Sequence, residues 1–297
     1  MKHLLLFSAL ACIFLFQNCA ENVAFKMQEV ELASVGAGIE SQSFKVAFSK
    51  NSALDMVWVI DNSGSMSEES AHVRKNFQNF LTPLNQQTDF RLLVLSNQSN
   101  LGVTIPSQFS AATHRQVNMT VGSTNGPSLL LPVLENQVSS GFFRRNSQKV
   151  IVFVTDDESS LSSAKILSEL ESKLGWALNQ VTVSSFIGLG SSLSRCQAKT
   201  GNVYMGLAQA SGGKTYNICD ADWSAQFKDL LDQSVTQAQR RFVLAKKTID
   251  SVLEVRVDNQ VISMSDVVFD GETISISDGV ALSEASVVTV IYSLKKD

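Results

Sequence analysis

Clustered basic charge is what this chain of 297 residues most clearly lacks. Its formal net charge is −4 and its isoelectric point lies near 5.5. The longest basic clusters, such as Arg144-Arg145, Arg240-Arg241 and Lys246-Lys247, are only pairs. No stripe of cations exists to follow a phosphate backbone, so a nucleic-acid partner is not expected. Histidine is scarce too, and His72 and His114 stand isolated. With no Gly-x-Ser-x-Gly elbow either, serine hydrolysis lacks both its base and its turn. Gly212-Gly213-Lys214-Thr215 invites comparison with a phosphate-binding loop, but Ala208 occupies the place of the first required glycine. No internal repeat is visible.

Cysteine is limited to four residues. Cys12 and Cys19 fall in a leader, which leaves Cys196 and Cys219 in the body. Neither has a histidine or a further cysteine near it, so a thiolate metal site is not expected. In an exported chain the two are expected to form a disulfide, worth on the order of 3 kcal/mol for a loop of this length in the chain-entropy model. Export is read from the first residues. Met1-Lys2-His3 supplies a short positive start, and Leu4 to Phe16 is an apolar core of signal-peptide length. That core is too short to span a bilayer and gives way to Gln17-Asn18. Cys19 follows directly, in an arrangement that resembles a bacterial lipoprotein precursor. Such precursors usually carry a small residue before the cysteine and often leucine three before it. Here those places hold Asn18 and Phe16. The resemblance implies a chain held at a membrane through a lipid on Cys19. Ala20, where many inner-membrane lipoproteins have aspartate, implies an outer-membrane location, facing the periplasm or the exterior.

What the chain does contain is apolar content of 44%, enough for a substantial core. After the leader (1–19), residues 20–43 show no sustained period and read as a tether. Phe44 to Phe48 alternates as an edge strand. From there the pattern becomes strand, helix, strand. Asp55–Ile60, Phe90–Leu95, Val117–Val121, Val150–Val154 and Val181–Leu189 read as strands. Between and after them, Ser67–Leu84, Pro127–Val138, Ala164–Leu174, Val203–Ala210 and Asp222–Gln239 carry helical spacing. Such alternation predicts an α/β fold over 44–241, a doubly wound and mostly parallel sheet with helices on both faces. After Arg241 the period changes to two. Leu253, Val255 and Val257 alternate with polar residues, Phe269-Asp270-Gly271-Glu272 signals a hairpin, and Val288, Val290, Tyr292 and Leu294 alternate again. Residues 242–297 therefore read as a small all-β domain or sheet extension.

The first parallel strand ends unusually. Val57-Trp58-Val59-Ile60 runs straight into Asp61-Asn62-Ser63-Gly64-Ser65, and Val150–Val154 runs into Thr155-Asp156-Asp157-Glu158. Sites in doubly wound sheets form at the carboxyl ends of the strands. Acids converging there repel unless a cation sits among them. Carboxylate, hydroxyl and water oxygens are the ligands of a hard divalent ion such as Mg²⁺. Asp-x-Ser-x-Ser on a buried strand resembles the metal-ion-dependent adhesion site of von Willebrand factor type A domains. The resemblance spans roughly residues 44 to 240. It implies that Ser63, Ser65 and a loop threonine contact Mg²⁺ or Mn²⁺ directly, while Asp61 and a second aspartate hold it largely through water. Thr124 falls in the interval expected of the threonine, with Ser123 as a stand-in, and Asp156 matches the second aspartate. It further implies an open coordination position for an acidic side chain of a partner protein. Asp157 and Glu158 stand where the family often has glycine.

Bland readings stand beside this one. Asp61, Ser63 and Ser65 are also natural helix caps, and Asp157 and Glu158 suit a helix start. Two further functions compete with adhesion. Acid-ended strands holding Mg²⁺ also serve phosphoryl transfer, although such enzymes usually place a second acid where Ser63 stands. A cell-envelope scaffold could use the ion merely to tie two loops together. The expectation taken forward is a non-enzymatic binding protein.

Overall fold

The computed structural model describes residues 30–36, 38–46, 52–99, 101–109, 111–176, 180–190, 196 and 198–295. The leader, Cys19 and the first part of the tether lie outside the described residues. In chain order the elements are β1 (Val30–Gly36), β2 (Ile39–Lys45), β3 (Ala53–Ile60), α1 (Ser67–Gln87), β4 (Asp89–Ser96), β5 (His114–Asn118) and α2 (Gly126–Ser139). Then follow β6 (Gln148–Val154), α3 (Ser163–Leu174), β7 (Val181–Ile187), α4 (Asn202–Ser211), β8 (Thr215–Asn217) and α5 (Ser224–Gln239). The chain closes with β9 (Arg241–Val243), β10 (Ile249–Val257), β11 (Gln260–Val261), β12 (Val267–Phe269), β13 (Thr273–Ile276) and β14 (Val287–Leu294). Among the described residues no helix is long and apolar enough to cross a membrane.

Six strands form one all-parallel sheet in the order β5-β4-β3-β6-β7-β8. Counted from β3, that is the 3-2-1-4-5-6 order of doubly wound folds, with its switch point between β3 and β6. The unbroken apolar runs follow from burial on both faces. From β3, Leu54, Met56, Trp58 and Ile60 join α1 and α5 in one core, while Val57 and Val59 join α2, α3 and α4 in the other. Trp58 anchors the first core, with the rings of Phe77, Phe80, Phe186 and Phe227 centred 5.3 to 6.1 Å away. Helix α3 is bounded as its sequence suggests. The Ser162 hydroxyl accepts from Lys165 N, and Gly175 closes the helix at φ 66°. Cys196 and Cys219 are disulfide-bonded, joining the segments that follow β7 and β8.

Three readings need correction. Residues 30–45, expected as tether and edge strand, form the hairpin β1–β2, and β2 pairs with β14 inside a second sheet. The β unit is thus built from both ends of the described chain, and the α/β domain begins at β3. Residue pattern hid this because β1 is exposed wherever its side chains are described, so it carries no alternation. The strand expected at 117–121 lies at His114–Asn118, since Val121 turns away to bond Asn62. Leu253 does not share the inner face of Val255 and Val257, because β10 is bulged between Val252 and Glu254. Two antiparallel sheets, β1-β2-β14-β10-β11 and β12-β13-β9, enclose a third core that includes Phe44, Phe242, Val255, Ile274, Val290 and Tyr292.

Candidate functional site

The parallel sheet ends at the switch point in the oxygen cluster. Asp61 is 1% exposed, and its backbone N–H continues the ladder to the Val154 carbonyl. Its Oδ1 accepts from Ser63 N at 2.8 Å, which turns the chain out of the strand. Its Oδ2 accepts from the Thr155 hydroxyl at 2.9 Å. Beyond the turn, the Ser63 and Ser65 hydroxyls lie 3.2 Å apart in a 3₁₀ turn leading into α1. Asp156, at the end of the neighbouring strand, is 7% exposed, and its Oδ1 is buried with no hydrogen-bond partner. Burial pushes its carboxyl above the usual range; the Ser65 hydroxyl pulls it back, and the charges of Asp61 and Asp157 add to the rise.

The loop carrying Thr124 is tied into the same place. Asn62 N donates to the Val121 carbonyl at 2.9 Å, and Val121 N donates to Asn62 Oδ1 at 3.1 Å. The Thr124 carbonyl accepts from Ser160 N at 2.9 Å. Asp61, Ser63, Ser65 and Asp156 are therefore gathered at one edge. The Thr124 backbone is tied to Ser160, and its side chain is exposed.

Asp157 and Glu158 have other partners. Asp157 pairs with Lys199 at 2.5 Å, and Glu158 accepts from Val203 N at the start of α4. Their charges are answered by a lysine and a helix N-terminus.

Two residues matter that the pattern did not single out. Asn62 joins three strand ends, donating to Ser96 Oγ while its Oδ1 accepts from Asn97 and Val121. In sequence it is indistinguishable from any turn asparagine. Glu69 lies in the first turn of α1, and its Oε2 is buried with no partner. Burial raises its carboxyl, and the charges of Asp156, Glu68 and Asp61 add to that. No sequence signal marks it, because Ser65 precedes α1 and the i, i+4 spacing of a helix face does not reach it.

Among the described residues, neither Asp61, Asp156 nor Glu69 makes an ion pair. Nor do three or more His, Cys, Asp or Glu side chains converge into a group able to hold a metal by themselves. Any ion here would need the serine hydroxyls and water as well, which suits a hard cation that keeps much of its hydration.

No family model and no curated protein matches the chain. Among solved structures it is similar to proximal thread matrix protein 1 from the mussel byssus, at 12% identity and a TM-score of 0.33. That match covers 67% of this chain and 48% of the mussel protein, so the chain spans about half its length. A likeness of this size bears no weight on function.

Proposed function

We propose that the chain is an exported binding protein of the von Willebrand factor type A kind, held at a membrane through a lipid on Cys19. In this reading it grips a partner through a divalent cation, Mg²⁺ or Mn²⁺. The Ser63, Ser65 and Thr124 hydroxyls contact the ion, and Asp61 and Asp156 hold it through water. The position left open takes a carboxylate of the partner. The observation that carries the reading is the buried Asp156 carboxyl, which lies by Asp61 and Ser65 and whose Oδ1 has no hydrogen-bond partner. A buried carboxylate oxygen of this kind is costly unless a proton or a cation meets it.

The test is calorimetric titration of the full-length chain in detergent with Mg²⁺ and Mn²⁺. Expected are one site in the parent, its loss in Asp61→Ala and a marked weakening in Thr124→Ala. No heat in the parent at millimolar metal would overturn the reading.

A further inference from the structure

The rim of the oxygen cluster carries opposite charge on two different elements. At the start of α1 stand Glu68, exposed, and Glu69, partly buried. Against the residues that follow β6 lies Lys199, from the segment after β7. Its backbone N–H donates to the Asp156 carbonyl at 2.7 Å, and its Nζ meets Asp157 Oδ1 at 2.5 Å. Three residues back, the Cys196–Cys219 disulfide fastens this segment to the one after β8. Lys199 is therefore anchored through its backbone, yet its side chain is 70% exposed. An ammonium has three N–H donors, and Asp157 engages one side of it only.

That anchoring answers an electrostatic objection to an acidic ligand. Asp156, Asp157 and Glu158 in succession would repel an incoming carboxylate. Glu158 instead serves Val203 N, and Lys199 neutralises Asp157. What remains on this side of the rim is an accessible cation adjoining the residue that would hold the ion. In the first turn of α1 the charged residues are both acids.

Building on the ion-binding reading above, we propose that Lys199 selects an acidic segment of the partner: one carboxylate takes the open position on the ion, and a neighbouring one meets the Lys199 ammonium. Glu69 acts in the opposite sense, holding positive charge at the cluster and repelling the incoming acid. The acidic segment then runs from the ion toward Lys199 and away from α1. Rim charges of this kind govern partner choice and on-rate more than raw affinity.

The two residues predict effects of crossed sign, which a merely structural ion pair would not produce. The experiment measures binding of a hexa-aspartate peptide to the full-length chain with and without Mg²⁺, using hexa-asparagine as control, and separately titrates Mg²⁺ alone. Lys199→Glu should weaken Mg²⁺-dependent peptide binding by about tenfold or more, with Mg²⁺ affinity unchanged or tighter. Lys199→Gln should lie between that variant and the parent. Glu69→Gln should tighten the peptide and weaken Mg²⁺, each by roughly threefold. Equal peptide affinity in the parent and Lys199→Glu would overturn the inference and leave the ion site standing. So would a parent that holds Mg²⁺ but shows no Mg²⁺-dependent preference for hexa-aspartate. A parent that binds no Mg²⁺ would overturn the ion site itself, and this inference with it.

Discussion

Strand β3 carries a buried aspartate at each end, and the two are treated differently. Asp55, at the amino edge of the sheet, is 1% exposed. It accepts from Arg144 Nη2 at 2.6 Å, Arg144 Nε at 2.9 Å, Arg144 N at 2.6 Å and the Ser147 hydroxyl at 2.5 Å. Lys149 lies in the same network, its Nζ donating to the Arg144 and Ser147 carbonyls and the Ser147 hydroxyl. Asp61, at the carboxyl edge, is equally buried but accepts only from neutral donors, beside an Asp156 oxygen that has no partner at all. A buried carboxylate needs either a cation or a proton. The amino edge draws its cations from the chain. At the carboxyl edge Lys199 pairs with Asp157, but Asp61 and Asp156 make no ion pair, and in doubly wound folds that edge is where ligands bind.

The sharpest way to break this comparison is to remove the amino-edge cation. Arg144→Met leaves Asp55 charged, buried and unpaired, which should cost about 3–5 kcal/mol of stability. Urea unfolding measures it, and Mg²⁺ binding by whatever fraction stays folded should be unchanged. A loss below about 1 kcal/mol would mean that the pair behaves as an exposed one.

Lys149 gives the same edge a pH signature. Burial lowers its ammonium to about 8, with the Asp55 charge opposing and Arg241 and Arg144 adding to the fall. Because the folded value lies below the unfolded one, the unfolded chain holds a proton that the folded chain has released between about pH 8 and 10.5. Stability therefore rises with pH through that window, by up to about 3 kcal/mol from this group alone. Burial of Tyr204 and Tyr216 raises both phenols and acts against this above about pH 10. Unfolding curves at pH 8 and 10 should show the gain in the parent, and Lys149→Met should flatten the slope. An unchanged slope would remove Lys149 as its source.

What the residue pattern could reveal differs between the two edges for a physical reason. Asp61 and Asp156 were legible because each terminates a continuous apolar run, and position at a strand end is a local property. The parallel sheet was legible for the same cause, down to α2 persisting through Pro132. The Asp55–Arg144 contact joins residues 89 apart in sequence, and no periodicity reports such a pairing. The β1–β2 hairpin is hidden in the sequence because exposed β1 carries no alternation and β2 takes its inner partner, β14, from the far end of the chain. Asp157 and Glu158 suit a helix start by sequence, and Glu158 does serve one, but it is the start of α4, far along the chain.

At the carboxyl edge the comparison turns on the ion. Mg²⁺ at about a hundred times its dissociation constant should stabilise the parent by about 2.7 kcal/mol through mass action. Asp61→Ala should gain nothing, and Arg144→Met should gain as much as the parent. Thermal unfolding with Mg²⁺, and with chelator in its place, measures all three. Stabilisation retained in Asp61→Ala would place the ion elsewhere.

The smallest expected effect is the most discriminating, because one change of chemistry is made at both edges. Without metal, Asp156→Asn removes a buried carboxylate that no cation answers and relieves its repulsion from Asp61. It should therefore raise stability by about 1 kcal/mol. Asp55→Asn instead leaves the Arg144 guanidinium without its carboxylate and should lower stability by about 3 kcal/mol or more. Saturating Mg²⁺ should reverse the first sign, since the parent gains the ion and Asp156→Asn holds it poorly, while leaving the second unaltered. Chemical denaturation of the two variants with chelator, then with Mg²⁺, gives the four numbers. A metal-free Asp156→Asn less stable than the parent would mean that this carboxylate is satisfied within the fold, and the asymmetry between the ends of β3 would lose its meaning.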